Sequence, residues 1–274
     1  MMILWSGGLF GLNSICRAVL SQAAGAVVGA ARASVPPAVD RPKIGLPSLG
    51  KSCLSHMVHL VPALQAGGYE PVVFHATGMG GRAFADLAGQ GEFVCVPDLC
   101  TQEVNNDLQG SVVTSGKSRL TAAGLAGVPQ IVAPGATDMV DFPTWAGPAP
   151  RHHDRPYHAH NRLIASITTP PDDRSALARA MGDSLAQARA PVTAILPLRG
   201  IQQWDQPGEP LCESESLAAF IDEFRRAIRP PPPWLRLTDT STTRSSPMPF
   251  LPSLMTGSPW ASSPKARSNP INPN

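Results

Sequence analysis

The chain has 274 residues, of which 43% are apolar, 15% are charged and 30 are proline. Lys and Arg number 22 against 20 Asp and Glu, and a net charge of +2 is too small for a protein that binds the nucleic-acid backbone. Aromatic residues make up only 5%, which argues against a base-stacking surface. The five cysteines lack paired spacing, which favours a reducing compartment, so we expect a cytoplasmic protein.

The first predicted element is a helix over residues 12–33, whose narrow face of small residues would suit a homodimer. The weakly polar run at 18–31 falls short of the ~20 apolar residues of a membrane-spanning helix. No positive charge precedes the apolar start of the chain, so a secretory signal is not expected either. Residues 34–42 contain three prolines and predict a linker.

From residue 43 onward, short apolar strands alternate with helices. Strands are expected at 44–46, 71–75, 93–96, 129–133, 192–196 and 234–237. Helices are expected at 53–66, 82–88, 118–126, 172–189 and 214–228, and one more helix is expected to begin after Thr101 as its N-cap. This alternation predicts an α/β domain over residues 43–238, with a mainly parallel sheet covered on both faces. Residues 239–274 are rich in Ser and Pro and predict a disordered tail, with a proline-rich recognition segment as the alternative.

The strongest local pattern is the glycine turn at residues 77–82, which joins a predicted strand to a helix. Glycine lets the backbone approach a ligand closely, and a helix start offers amide N–H groups to a phosphate or carboxylate. Thr77 adds a hydroxyl and Arg82 a cation. The turn matches neither the dinucleotide fingerprint nor the Walker loop, so a tight turn without a ligand is the alternative.

Polar residues and glycines also follow the other predicted strands, among them Gly135, Asp138 and Arg199. Because the carboxyl ends of parallel strands share one edge of a sheet, these residues predict a site there for an anionic ligand such as a nucleotide.

Three further patterns leave two interpretations each. Residues 115–118 look like a phosphate loop without its upstream glycine, so they either contact the ligand or place Ser118 as a helix N-cap. The histidine-rich loop at 151–161 contains two arginines that would repel a cation, so we expect no metal site. His158, His160 and Asn161 there either hydrogen-bond a ligand or lock the loop. Cys53 is either a thiolate stabilised at a helix start or a small buried residue.

Residues 73–87, 130–142 and 194–200, with the helix over 11–29, resemble the Tm-1-like ATP-binding family, also designated UPF0261. The resemblance implies two Rossmann-like three-layer subdomains with ATP, alone or with Mg²⁺, in the cleft between them. It also implies a TIM-barrel protein as partner or fusion. The residues whose ligand contacts it carries over are Thr77, Gly78, Gly80, Gly81, Arg82, Gly135 and Asp138.

The N-terminal subdomain of that family is matched only by its last helix, within residues 1–33, so we expect a truncated chain. The leading hypothesis is therefore a nucleotide-binding module, the C-terminal subdomain of an ATP-binding protein. One alternative is an enzyme that acts on a small carboxylate or phosphoester through Asp138 and Arg199. The other is a partner-binding scaffold that uses the helix over 12–33 and has no catalysis.

Overall fold

The computed structural model describes residues 12–33, 41–228 and 235–240, with the backbone alone for residues 51, 52 and 235–240. The chain divides into two compact units, residues 1–40 and 41–274. Most of the expected linker at 34–42 and of the expected tail at 239–274 lies outside the described residues.

The first unit contains the described helix α1 (Ser14–Ala33), which confirms the helix expected at 12–33. At its start the Asn13 side chain accepts a hydrogen bond from the Cys16 N–H at 2.9 Å, as an N-cap residue does. Among the described residues α1 is the one helix long and apolar enough to cross a membrane, by length and composition alone. Core helices of soluble proteins and signal sequences near an N-terminus meet the same criterion.

The second unit alternates strands and helices. Its described strands are β1 (Lys43–Ser48), β2 (Glu70–His75), β3 (Val96–Asp98), β4 (Gln130–Val132), β5 (Met139–Pro143), β6 (Tyr157–Ala159), β7 (Ile164–Thr168), β8 (Val192–Pro197) and β9 (Leu235–Thr240). Its described α-helices are α2 (Gly50–Ala66), α3 (Met79–Gly89), α4 (Gln102–Leu108), α5 (Ala122–Leu125), α6 (Pro171–Leu185) and α7 (Ser214–Ala227).

Six of these strands run parallel. β1 pairs with β2, and β3, β4, β8 and β9 pair in that order. A parallel bridge between Ile44 and Cys95 joins β1 to the start of β3, where the Gly45 N–H donates to the Cys95 carbonyl at 3.3 Å. The order is therefore β2-β1-β3-β4-β8-β9, and the carboxyl ends of all six strands face one edge.

Neighbouring strand residues pack on opposite sides of the parallel strands. Ile131 and Ile195 lie in a buried cluster with Leu60 of α2, whereas Val132 lies in a second cluster with Phe220 of α7. Parallel strands with helices packed against them confirm the predicted α/β class.

A three-stranded antiparallel sheet, in the order β5-β7-β6, was not expected. The prediction of one loop over 151–161 is wrong, because β6 and a 3₁₀ turn at Pro150–His152 lie there. Helix α5 is also shorter than the helix expected at 118–126. Ser118 is therefore not its N-cap, since the helix begins at Ala122 and Thr121 holds the capping position.

An ion pair joins the antiparallel sheet region to α7. Arg155 contacts the Glu213 carboxylate, and Ser216 Oγ donates to the same carboxylate at 2.8 Å. Partial burial raises the pKa of Glu213, but hydrogen bonds from Thr168, Ser216 and Arg155 and the Arg155 charge outweigh it, so the pKa lies below its usual 4.5. The ionised carboxylate thus stabilises the fold above about pH 4.5, and this contribution is lost as the pH falls through the folded-state pKa.

We expect Glu213→Gln to lower the free energy of unfolding by about 0.5–1 kcal/mol at pH 7, as for a partly exposed ion pair. As the pH falls through the folded-state pKa the carboxylate is protonated, so the difference from wild type should shrink. Urea denaturation at pH 7 and at pH 3 measures both values. An equal loss at the two pH values would contradict an electrostatic role for Glu213.

Candidate functional site

The glycine turn lies between β2 and α3, and the protein's own packing requires its glycines. Gly78 has φ +95°, in the left-handed region. A Cβ on Gly80 would lie 1.9 Å from the His75 carbonyl oxygen, and a Cβ on Gly81 would lie 1.7 Å from Glu103 Oε2. No side chain fits at either position, so the close backbone approach needs no ligand to explain it.

The Glu103 carboxylate lies against the inner side of this turn. Its Oε1 accepts a hydrogen bond from the Gly78 N–H, and the side chain is fully buried in the first turn of α4. The first amide groups of a helix lack partners within it and favour a negative charge. Glu103 therefore serves as an internal anion at the start of α3.

A buried arginine holds Glu103 in place. Arg119 Nε donates to Glu103 Oε2 at 3.0 Å, and Nη2 donates to Asp98 Oδ1 and to the Cys100 carbonyl, each at 3.1 Å. The guanidinium also lies 4.6 Å from the ring centroid of Phe84 in α3. Asp98, Glu103 and Arg119, called here the ion-pair cluster, thus join β3, α4, α3 and the chain before α5.

Burial and the neighbouring charges act on the pKa values of Asp98 and Arg119. Burial raises the pKa of Asp98, against the opposing effect of the Arg119 charge. Burial alone would lower the pKa of Arg119, but Asp98 and Glu103 raise it overall. Arg119 is therefore a permanent cation that compensates carboxylates with no access to water.

Helix α4 carries buried polar groups on several sides. Asn105 Nδ2 donates to the Thr137 carbonyl and to Thr169 Oγ1, each at 2.9 Å. Gln102 and Asn106 donate to Asp141 Oδ2 at 2.9 and 3.0 Å. These bonds attach the loop after β4 and the antiparallel sheet to the helix that also contacts the glycine turn.

Thr101 holds the capping position of α4, but its side chain makes no capping hydrogen bond. Its Oγ1 donates to the Ala133 carbonyl at 3.1 Å, and its N–H donates to the Gly135 carbonyl at 3.0 Å. The residue thus ties α4 to the carboxyl end of β4.

The predicted ligand contacts differ in exposure. Thr77 and Arg82 are exposed, Gly80 is partly buried, and Gly78 and Gly81 are buried. Of the later residues, Gly135 and Asp138 are buried and Arg199 is exposed. The sequence predicted the location of the glycine turn but missed Glu103 and Arg119, whose residue types are ordinary for a first helical turn and a loop.

Hydrogen bonds connect the loop after β4, which contains the predicted residues Gly135 and Asp138, to the loop after β8. Asp138 Oδ2 accepts a hydrogen bond from Gln202 Nε2 at 2.5 Å, and Arg174 pairs with Asp205 at 3.3 Å while donating to the Asp138 carbonyl at 3.5 Å. The loop after β8 is thereby bound to the loop after β4. Together with the bonds of Thr101 and Glu103, these contacts form a continuous chain from Gly78 to Gln202.

The histidine-rich segment and the cysteines show no reactive arrangement. The described residues contain no group of three or more His, Cys, Asp or Glu side chains that could hold a metal ion. The His158 ring lies 4.2 Å from the Trp204 ring. Cys53 is buried beside Ala76 and Cys100, and its hydrogen bond, together with burial, raises the pKa of the Cys100 thiol. The buried-residue interpretation of Cys53 therefore fits the structure.

We expect Gly81→Ala to destabilise the protein by about 1–3 kcal/mol, as overpacking does, because its methyl group would overlap the Glu103 carboxylate. Gly89→Ala is the matched control in the same helix, since a Cβ there would lie 3.6 Å from the Ala122 Cβ, an ordinary contact. Thermal and urea denaturation compare the two variants. Equal stabilities would show that Glu103 does not lie against Gly81.

Comparison with known proteins identifies the family. Residues 41–240 match the model described as the C-terminal domain of the uncharacterised protein family UPF0261. A UPF0261 protein of Brucella melitensis is 58% identical over 228 residues, which cover 83% of this chain and 54% of the relative. A UPF0261 protein of Clostridium tetani is 31% identical over 220 residues, with 80% and 54% covered.

A plant protein is also similar. The ToMV resistance protein Tm-1 of Solanum lycopersicum is 30% identical over 226 residues, which cover 80% of this chain and 30% of the plant protein. The chain spans about half the length of its bacterial relatives. These matches confirm the family expected from the three sequence motifs: the chain belongs to the UPF0261 family and carries its C-terminal domain.

Proposed function

We propose that the second unit binds an anionic ligand of the nucleotide class, with ATP as the expected ligand, beside the glycine turn and Arg82. The observation that carries this proposal is the continuous chain of hydrogen bonds from Gly78 through α4 to the loops after β4 and β8. It holds several strand-end loops at one edge of the parallel strands. Such an edge is where ligands bind in open α/β sheets.

The strand order supports a finer description of the fold. The order β2-β1-β3-β4-β8 has the pattern of the doubly wound flavodoxin-like sheets, in which the direction of winding reverses between the first and third strands. We infer a Rossmann-like three-layer domain whose ligand edge is centred on β1 and β3. The glycine turn follows β2, the next strand outward from that reversal.

The charges indicate where the phosphates would lie. Glu103 already occupies the inner side of the α3 start, so a phosphate there would meet a buried carboxylate. On the outer side, Arg82 is exposed, and the first amides of α3, an 11-residue helix, lack partners within the helix. We therefore propose that the ligand phosphate lies on the solvent side of the turn, with Thr77 and Arg82.

We propose that the activity of the whole protein needs a second subdomain besides this unit. The matched residues cover 54% of each bacterial relative, and the family resemblance implies a second subdomain that would close the nucleotide cleft. All five cysteines are free thiols, which supports a reducing compartment such as the cytoplasm.

Isothermal titration with ATP, with and without Mg²⁺, tests the proposal on this chain. Arg82→Ala should weaken ATP binding at least about tenfold, the effect of losing one charge-assisted contact worth roughly 1.4 kcal/mol or more. Arg179→Ala, which removes an exposed arginine on α6, is the matched control and should bind as wild type does. Absence of binding by the wild type at millimolar ATP, or equal affinities for the two variants, would overturn the proposal.

A further inference from the structure

The 3₁₀ turn at Pro150–His152, which lies between β5 and β6, carries a buried histidine. The side chain of His152 is 3% exposed, whereas its neighbours Arg151 and His153 are exposed. The backbone of the turn is closed by the His152 N–H, which donates to the Ala149 carbonyl at 2.8 Å. An imidazole, the side chain whose charge changes closest to neutral pH, is thus held away from water.

Two side chains of opposite charge converge on one nitrogen of this ring. Arg151 Nε donates to His152 Nε2 at 3.0 Å, and Asp173 Oδ2 on α6 lies 3.4 Å from the same nitrogen. Without a proton, Nε2 accepts from Arg151 but has nothing to donate to Asp173; with a proton, it donates to Asp173 but can no longer accept. The protonation of Nε2 therefore decides which of the two partners the ring binds.

The surroundings of the ring favour its neutral form. Burial lowers the pKa of His152 below its usual 6.5. Asp173 acts against this effect, while the charges of Arg151 and Arg155 add to it, and Arg155 is itself paired with Glu213 of α7. Nδ1 is buried and has no hydrogen-bond partner in the described part of the chain, so it offers the charged ring no further stabilisation. Above its pKa, the ring therefore accepts from Arg151.

Arg151 also ties the turn to α4. Its Nη2 donates to Oε1 of Gln109, the residue that follows this helix, and lies 4.0 Å from Asp173 Oδ2. When Nε2 gains a proton, Arg151 loses its acceptor and faces a like charge, while Asp173 gains a donor. The ring then exchanges a connection to α4 for a contact with α6.

We propose that His152 is a pH-sensitive switch, which ties the 3₁₀ turn to α4 through Arg151 when it is neutral and to Asp173 of α6 when it is protonated. The proton that drives the exchange comes from water and is bound at Nε2. Helix α4 also carries Glu103, which contacts the glycine turn, so the switch acts on the helix that supports the candidate site. It does not depend on which ligand that site binds.

Long-range proton–nitrogen NMR spectra of the full chain, labelled in histidine and glutamine and recorded from pH 5 to pH 8, test the switch. The His152 signals are those missing from the spectrum of His152→Gln. At pH 8, Nε2 should carry no proton, because it accepts from Arg151. The titration midpoint of His152 should lie below 6.5. The side-chain amide signal of Gln109 should shift with the same midpoint, since Arg151 leaves it as His152 is protonated.

Two variants change the charges on either side of the ring. Arg151→Met should raise the His152 midpoint by about 0.5–1 pH unit, and Asp173→Asn should lower it by a similar amount. Asp172→Asn, which removes an exposed carboxylate from the same turn of α6, is the matched control and should leave the midpoint unchanged. The Arg151 and Asp173 side chains are 57% and 20% exposed, so we expect both variants to fold. A proton on Nε2 at pH 8, a Gln109 amide that does not follow the His152 midpoint, or equal midpoints in Asp173→Asn and Asp172→Asn would overturn the switch.

Discussion

The buried carboxylate of Glu103 determines the shape of the candidate site. It accepts a hydrogen bond from Gly78 on one side and from Arg119 on the other, and it leaves no room for a side chain at Gly81. The turn, the chain before α5 and the end of β3 all contact this one group or its partner Arg119. Their relative positions therefore depend on the buried ion-pair cluster.

A buried ion pair attracts its members to each other, and it also makes the removal of either one costly to stability. Removing one member of a buried ion pair typically costs about 3–5 kcal/mol, because the remaining charge has neither water nor a partner. Removing Asp98, Glu103 or Arg119 is therefore expected to destabilise the fold strongly. The same constraint keeps the segment that carries Arg82 next to residues 114–118.

Apolar periodicity was enough to predict the parallel strands, except that β3 (Val96–Asp98) begins at the last residue of the strand expected at 93–96. Strands such as β8, which packs on both sides, leave continuous apolar runs in the sequence, and the helices between them are amphipathic. The antiparallel strands were not recognisable, because Asp141 and Ser166 lie within β5 and β7. These polar residues are buried only because Gln102 and Asn106 of α4 and each other satisfy them, and no local pattern reveals such long-range partners.

The candidate site was predicted in part for the same reason. Glycine spacing located the turn, since positive φ and close approach demand glycine at fixed positions. Its partner Glu103 lies 25 residues away, and a glutamate in a first helical turn is equally explained by the helix dipole. Arg119 is a single arginine between Ser118 and Leu120, and nothing in its sequence context distinguishes a buried ion pair from an exposed side chain.

Hydrogen exchange at the Gly78 amide tests the central role of Glu103 most directly. If this amide donates to the buried carboxylate, its exchange by NMR should be slowed to the range of amides in the parallel strands. Glu103→Ala, in a protein that remains folded, should accelerate exchange at Gly78 far more than at Ile131 in β4. Exchange of the wild-type Gly78 amide at the rate of an unstructured peptide would contradict the account.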